Sequence, residues 1–165
     1  STIAYNILER YDPSTNTWEA LAYMSEKREG ASAAVLNQNL YAIGGKNVST
    51  VSKTVEIYDS DNNSWNQGPS LPHPIAHASS IIYNNCIYLI GGNDSDSKIA
   101  TNYLLDSNNG TWVAKTPMSV PRAGHKLVIF ENRIWAMGGN SSNNGSVSDL
   151  NSALEWIAIC RNLLH

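Results

Sequence analysis

At 165 residues the chain can build one or two compact domains with a real core. A net charge of -3 at pH 7 provides no basic footprint for nucleic acid or an anionic membrane surface, and no apolar run approaches the ~20 residues of a membrane-spanning helix. Only 15% of residues are charged while Asn, Ser and Gly are plentiful, a balance that suits short strands joined by polar turns.

The N-terminal "STIAYNILERYDP" has no basic-then-apolar leader pattern and no initiator Met, as expected of a processed chain or a piece of something longer. "NILERYDP" and "TWEAL" read as two strands. "ASAAVLN" (31–37) then runs into an "NQN" turn and "LYAIGG" (40–45), which is apolar on both faces, as for a strand held between layers. "TVEIYDS" (54–60) alternates, "DNN" turns, and "SWNQG" follows. The same order returns from "HASSIIYNNCIYLIGG", and "HKLVIFENRIWAMGG" begins it again. The last segment, "SALEWIAICRNLLH", fits a third strand with Glu155 in the place of Glu56, although Leu150, Leu154, Ile157 and Leu164 also fit a helical stripe.

The repetition has one period. Gly44-Gly45, Gly91-Gly92 and Gly138-Gly139 lie 47 residues apart, as do Trp18, Trp65 and Trp112, and Asp12, Asp59 and Asp106. The residue before each Asp is apolar: Tyr11, Tyr58 and Leu105. Three markers sharing a period in the forties indicate a solenoid or a propeller. Within a period nothing carries helical spacing over ten or more residues, so each period reads as a four-stranded antiparallel blade. The double glycines, Tyr11, Tyr58 and the three tryptophans are then structural. The first Gly leaves strand conformation, the second admits a close neighbour, and a Tyr or Trp one strand later is the expected occupant.

"LPHPIAHASSIIYNNCIYLIGG" and "VEIYDSDNNSW", with a double Gly, then Tyr, then Trp at set offsets, resemble the kelch repeat. "LERYDPSTNTWEALAYM" and "AKTPMSVPRAGHKLVIFENRIWAMGG" resemble the BTB–BACK–kelch proteins most, and the resemblance runs to about Gly139. It implies an all-β, partial kelch-type β-propeller of about three to three and a half blades. The phasing gives strands three and four of a first blade over 1–24, a second blade over 25–70 and a third over 71–118. The first strands of a fourth blade and a C-terminal segment occupy 119–165. Such a half-wheel leaves two apolar faces bare, to be covered by the rest of a longer chain or by a second copy closing a six-bladed ring.

Catalysis has no candidate. His73, His77, His125 and His165 show no ligand spacing with Cys86, Cys160 or the carboxylates, so neither a metal nor another cofactor is expected. "DSDNNSW" lacks the Gly and terminal Glu of a calcium loop. Both cysteines sit in apolar runs and read as small core residues, which fits a reduced, cytoplasmic setting. Six N-x-S/T sequons, at Asn47, Asn62, Asn93, Asn109, Asn140 and Asn144, follow from loops rich in Asn and Ser.

Binding has candidates. The loops after the double glycines and those between blades should share one face. "MSEKREG", "LPHPIAH" and "MSVPRAG" place Arg28, Ile75 and Arg122 equivalently, and Asn47, Asn93 and Asn140 follow the double glycines. The resemblance implies that Arg28 and Arg122 hold acidic groups of a protein or peptide ligand, for which a guanidinium offers a rigid fork. It further implies the substrate-recognition part of a cullin-3 ubiquitin ligase adaptor, with cullin-3 bound through domains this chain does not contain. The alternatives are an actin-binding kelch module and a fragment of a kelch enzyme of the galactose-oxidase or sialate-epimerase class. No nucleic acid or membrane partner is expected.

Overall fold

The computed structural model describes residues 3–141 and the backbone of Ser152–Leu154. Within them there is no helix. The strands are β1 (Leu8–Asp12), β2 (Thr17–Leu21), β3 (Ser32–Leu36), β4 (Asn39–Ile43), β5 (Val55–Asp59), β6 (Ser64–Gln67), β7 (Ser79–Tyr83), β8 (Cys86–Ile90), β9 (Asn102–Asp106), β10 (Thr111–Lys115), β11 (Lys126–Phe130), β12 (Arg133–Met137) and β13 (Ser152–Leu154). They form four antiparallel meanders: β1-β2, β3-β4-β5-β6, β7-β8-β9-β10 and β11-β12-β13. The first strands of successive sheets, β3, β7 and β11, pack on one another, which puts them innermost and makes the sheets wedges of a propeller.

Local chemistry explains each blade. The first hairpin turns on two left-handed residues, Asn37-Gln38, Asn84-Asn85 and Glu131-Asn132, the geometry that follows the twist of paired strands. The outer hairpin turns on the repeated Asp. The Asp59 carboxylate accepts from the Asp61 and Asn62 amides, and Asp106 from that of Asn108. Beside it Tyr58 tilts against Trp65 at 5.3 Å, as Tyr11 does against Trp18 at 5.2 Å. Both Tyr hydroxyls donate to the Asn that closes their turn, Asn63 and Asn16.

The tryptophans also stitch blades together. The Trp65 indole donates to the Ala22 carbonyl at 2.8 Å and Trp112 to that of Pro69 at 2.8 Å, each the exit of the preceding blade. The middle strands are buried on both faces, most fully in β8, where all five residues are buried. Two apolar clusters lie between blades, one containing Ile43, Val55, Leu71, Ile75, Leu89 and Leu105, the other Tyr88, Ile90, Met118 and Ile134.

Three expectations need correction. The glycine notches do not hold aromatics. A Cβ on Gly44 would strike the Ile75 carbonyl and one on Gly91 the Arg122 carbonyl at 2.6 Å, so the first glycine admits the backbone of the next blade's entry loop. The second glycine packs on its own blade, Gly45 on Ala31, Gly92 on Ala76 and Ala78, and Gly139 on Ala123 and His125. The Gly45 and Gly92 amides donate to those same Ile75 and Arg122 carbonyls at 2.8 Å. A buried backbone amide needs an acceptor, here a carbonyl of the next blade, which an aromatic ring face would replace only weakly. Secondly, Cys86 is buried but disulfide-bonded, not a plain core thiol. Cys160 lies outside the described residues. Thirdly, β13 takes the third-strand place, yet Ser152 rather than Glu155 stands opposite Ala136, as Glu56 stands opposite Ala42. Glu155, Ile157 and Leu164 lie outside the described residues.

Candidate functional site

Short bridges fasten the two loop sets together. Glu29 pairs with Lys46, Ala76 with Asn93 and Ala123 with Asn140, so each entry loop runs beside the loop that follows a double glycine. Both sets therefore lie on one face of a rigid frame.

The expected rim arginines are interior. Arg28 has a side chain only 1% exposed, ion-paired to Glu56 at 2.8 Å and to Glu26 at 3.5 Å. It also donates to the Gly44 carbonyl at 2.6 Å and to the Thr54 hydroxyl at 2.6 Å. Arg122 is fully buried and donates to the Gly138 carbonyl at 3.3 Å, and burial pushes its pKa down. Ile75, in the same slot of the intervening blade, is core. These residues share one slot of the repeat that points inward, where a guanidinium holds its own blade's carbonyls. Glu56 shows the consequence. Burial pushes its pKa up, yet the Ser25 amide and Arg28 outweigh that and hold it below the ordinary carboxylate range.

The asparagines divide. Asn47 is exposed, but its carboxamide oxygen accepts from the Ser49 and Thr50 amides at 2.8 Å and shapes its own loop. Asn93 and Asn140 are half-buried members of the bridges.

Two clefts open where an entry loop meets its neighbour. One, about 310 Å³, is lined by Ser25, Glu26, Thr54, Glu56, Trp65 and Gln67. The other, about 390 Å³, is lined by His73, Pro74, Asp94, Asp96, Ile99 and Thr101. His73 shares a 2.6 Å hydrogen bond with the Tyr103 hydroxyl. Asp94 is held below the ordinary carboxylate range first by the Ser97 amide and then by that of Asp96. Nearer the strand-one side, Glu29 lies 3.8 Å from Lys46 and 3.7 Å from His77. Sequence reasoning passed over His73, Glu26 and Asp94. Their signal was available, since Glu26 and His73 are 47 residues apart, the same slot carrying different chemistry. The face is mixed in charge, with Glu26, Glu29, Asp94 and Asp96 set against Lys46, Lys53 and Lys98. Among the described residues no three His, Cys, Asp or Glu side chains meet as a metal site, and no helix is long and apolar enough to cross a membrane.

Comparison with known proteins agrees with this architecture. Over 48 residues, 29% of this chain, the sequence is 42% identical to Kelch-like protein 5 of Homo sapiens and 40% identical to Kelch-like protein 1 of Mus musculus. That match covers 6% of the length of each relative. The solved structure titled "Structure of YjhT" superposes with a TM-score of 0.77 at 20% identity, covering 90% of this chain and 49% of the other, a likeness of fold. The family model described as the KLHDC2/KLHL20/DRC7 Kelch-repeats domain matches residues 2–151. With its glycine notches, tyrosine–tryptophan pairs and interblade indole bonds accounted for, the chain belongs to the kelch-repeat family.

Proposed function

We propose that this kelch segment is a protein-binding module whose ligand lies across the loop face, over the cleft between His73 and Asp94–Asp96. The observation that carries the reading is the joining of two loop sets by backbone bridges to one rigid face, which presents exposed polar side chains at fixed separations. The buried Arg28 and Arg122 would support that face from beneath. Its mixed charge favours a ligand with both acidic and basic groups over a purely acidic one. In a longer parent the module would serve as the substrate-recognition part of a cullin-3 ligase adaptor in the cytoplasm, other domains engaging the cullin.

The test is a pull-down with the parent protein's full propeller. His73→Ala with Asp96→Lys should abolish capture of the bound protein while costing no more stability than the one His73–Tyr103 hydrogen bond, about 1 kcal/mol by thermal unfolding. Undiminished capture would rule out this cleft as the ligand site.

A further inference from the structure

The second and third blades match position for position at the period of 47, yet one slot is finished differently in each. In the second blade the chain fills it from within. Glu26 accepts from the Ser52 hydroxyl at 2.9 Å and from the Thr54 hydroxyl at 2.8 Å, and Arg28 donates to that same Thr54 hydroxyl at 2.6 Å. The third blade carries His73, Ile99, Thr101 and Ile75 in those places. His73 turns to the Tyr103 hydroxyl, Ile75 joins the core, and Ile99 has no polar side-chain atom. The cleft of about 390 Å³ lies here, and it is lined by Thr101, whose hydroxyl is buried without a partner.

Charge changes with it. Around this slot the second blade sets Glu26 and Glu56 against Lys27 and Arg28, two acids against two bases. The third has His73, Tyr103, Pro74 and Ile75 at those positions, while its loop gains Asp94 and Asp96 in place of Asn47 and Ser49. Among the described residues neither carboxylate forms an ion pair. Lys98 belongs to the same loop but does not line the cleft.

We propose that the third-blade cleft seats an arginine side chain of the bound protein, its stem along Pro74 and Ile99 and its guanidinium between Asp94 and Asp96. This seat belongs to the protein-binding face and rests on that reading. The long apolar stem suits the proline and isoleucine wall, which a small cation would leave uncovered. A guanidinium offers five donors in a rigid fork, enough for both carboxylates. One rotamer step of Thr101 brings its hydroxyl to the same fork. The ligand thus supplies in the third blade what Arg28 supplies to Thr54 and Glu26 in the second.

The test titrates the parent protein's full propeller with a capped Gly-Arg-Gly peptide, followed by NMR shifts of the Asp94, Asp96 and Thr101 amides. Citrulline in place of arginine keeps the shape and removes the charge, so it should bind about tenfold more weakly. Lysine, a charge without the fork, should fall between them. Asp96→Lys alters an exposed side chain and should abolish binding of the arginine peptide while admitting one with glutamate at its centre. Thr101→Val should weaken the arginine peptide severalfold without lowering the melting temperature, since the hydroxyl gives up no bond in the free protein. Arginine and citrulline bound alike would overturn the proposal, as would arginine binding that survives Asp96→Lys. Lysine bound as tightly as arginine would overturn the guanidinium fork. Should Thr101→Val prove unstable, the citrulline and Asp96→Lys arms decide alone. The pull-down separates this outcome from the reading beneath it. Capture that depends on His73 and Asp96, with no binding of the arginine peptide, overturns the seat and keeps the cleft as ligand site. Arginine bound at the cleft with capture undiminished overturns that reading instead and keeps the seat.

Discussion

The second and third blades are built on one plan and hold the same three slots together by different means. In the second blade the slots carry Glu26, Arg28 and Glu56, an ionic triad closed by Arg28 at 2.8 Å from Glu56. In the third they carry His73, Ile75 and Tyr103. There Ile75 joins the apolar core, and the remaining polarity is one hydrogen bond from tyrosine to histidine. Arg28 stabilises its blade by gathering the Gly44 and Thr54 carbonyls, work that an isoleucine cannot do. The third blade dispenses with this support by burying every residue of β8 and four of the five in β9. The pair is a natural exchange of a buried ion pair for apolar packing, a trade that in general is close to neutral when both partners change and costly when one does.

The sharpest way to break this comparison is Arg28→Ala. It leaves Glu56 buried without its cation, and urea unfolding should show a loss of about 3–5 kcal/mol. Arg28→Ile with Glu56→Tyr, copying the third blade, should recover more than half of that loss. A double variant as unstable as the single would mean that the ionic triad has no apolar substitute in the second blade.

Acid should come next in size. His125 is buried, and burial, followed by the nearby Arg122, pushes its pKa down to about 4. A depressed pKa favours the neutral form in the folded state, so the stabilisation is whole above the ordinary histidine value of 6.5. It is lost as pH falls from there towards 4, on the order of 3 kcal/mol. The lowered Glu56 acts in the same direction below the ordinary carboxylate range. Melting temperatures from pH 7 to pH 4 should fall, and His125→Leu should flatten the upper part of that decline. An unchanged profile in His125→Leu would show that the ring is not the group responsible.

The smallest effect sharpens the third blade's side of the contrast. Tyr103→Phe removes only the hydroxyl that meets His73, for a cost of about 1 kcal/mol by thermal unfolding. A cost near that of Arg28→Ala would mean the two triads are equally demanding after all.

Much of the fold was legible because a blade is a local object. The Asp before each outer turn, the tyrosine–tryptophan pair across β5–β6 and the double glycine after β4 all act within a few strands, so period and phase could be read directly. The occupant of the notch was not legible, because the Ile75 carbonyl belongs to the next blade and carries no side-chain signature. The candidate site fared worse for the same reason. Equivalence placed Arg28, Ile75 and Arg122 together, but nothing in a repeat says which way a slot faces. Glu26 and His73, two residues earlier, stand at the clefts instead.

From its own letters the chain determined the four-stranded unit, its period and its order, since these follow from turn chemistry and strand patterning over short spans. Only the tertiary structure decided which equivalent residues face inward, which backbone fills each glycine notch, and where an indole finds its carbonyl. Those choices depend on the distance between blades, and burial there turns an arginine from a surface fork into an internal brace.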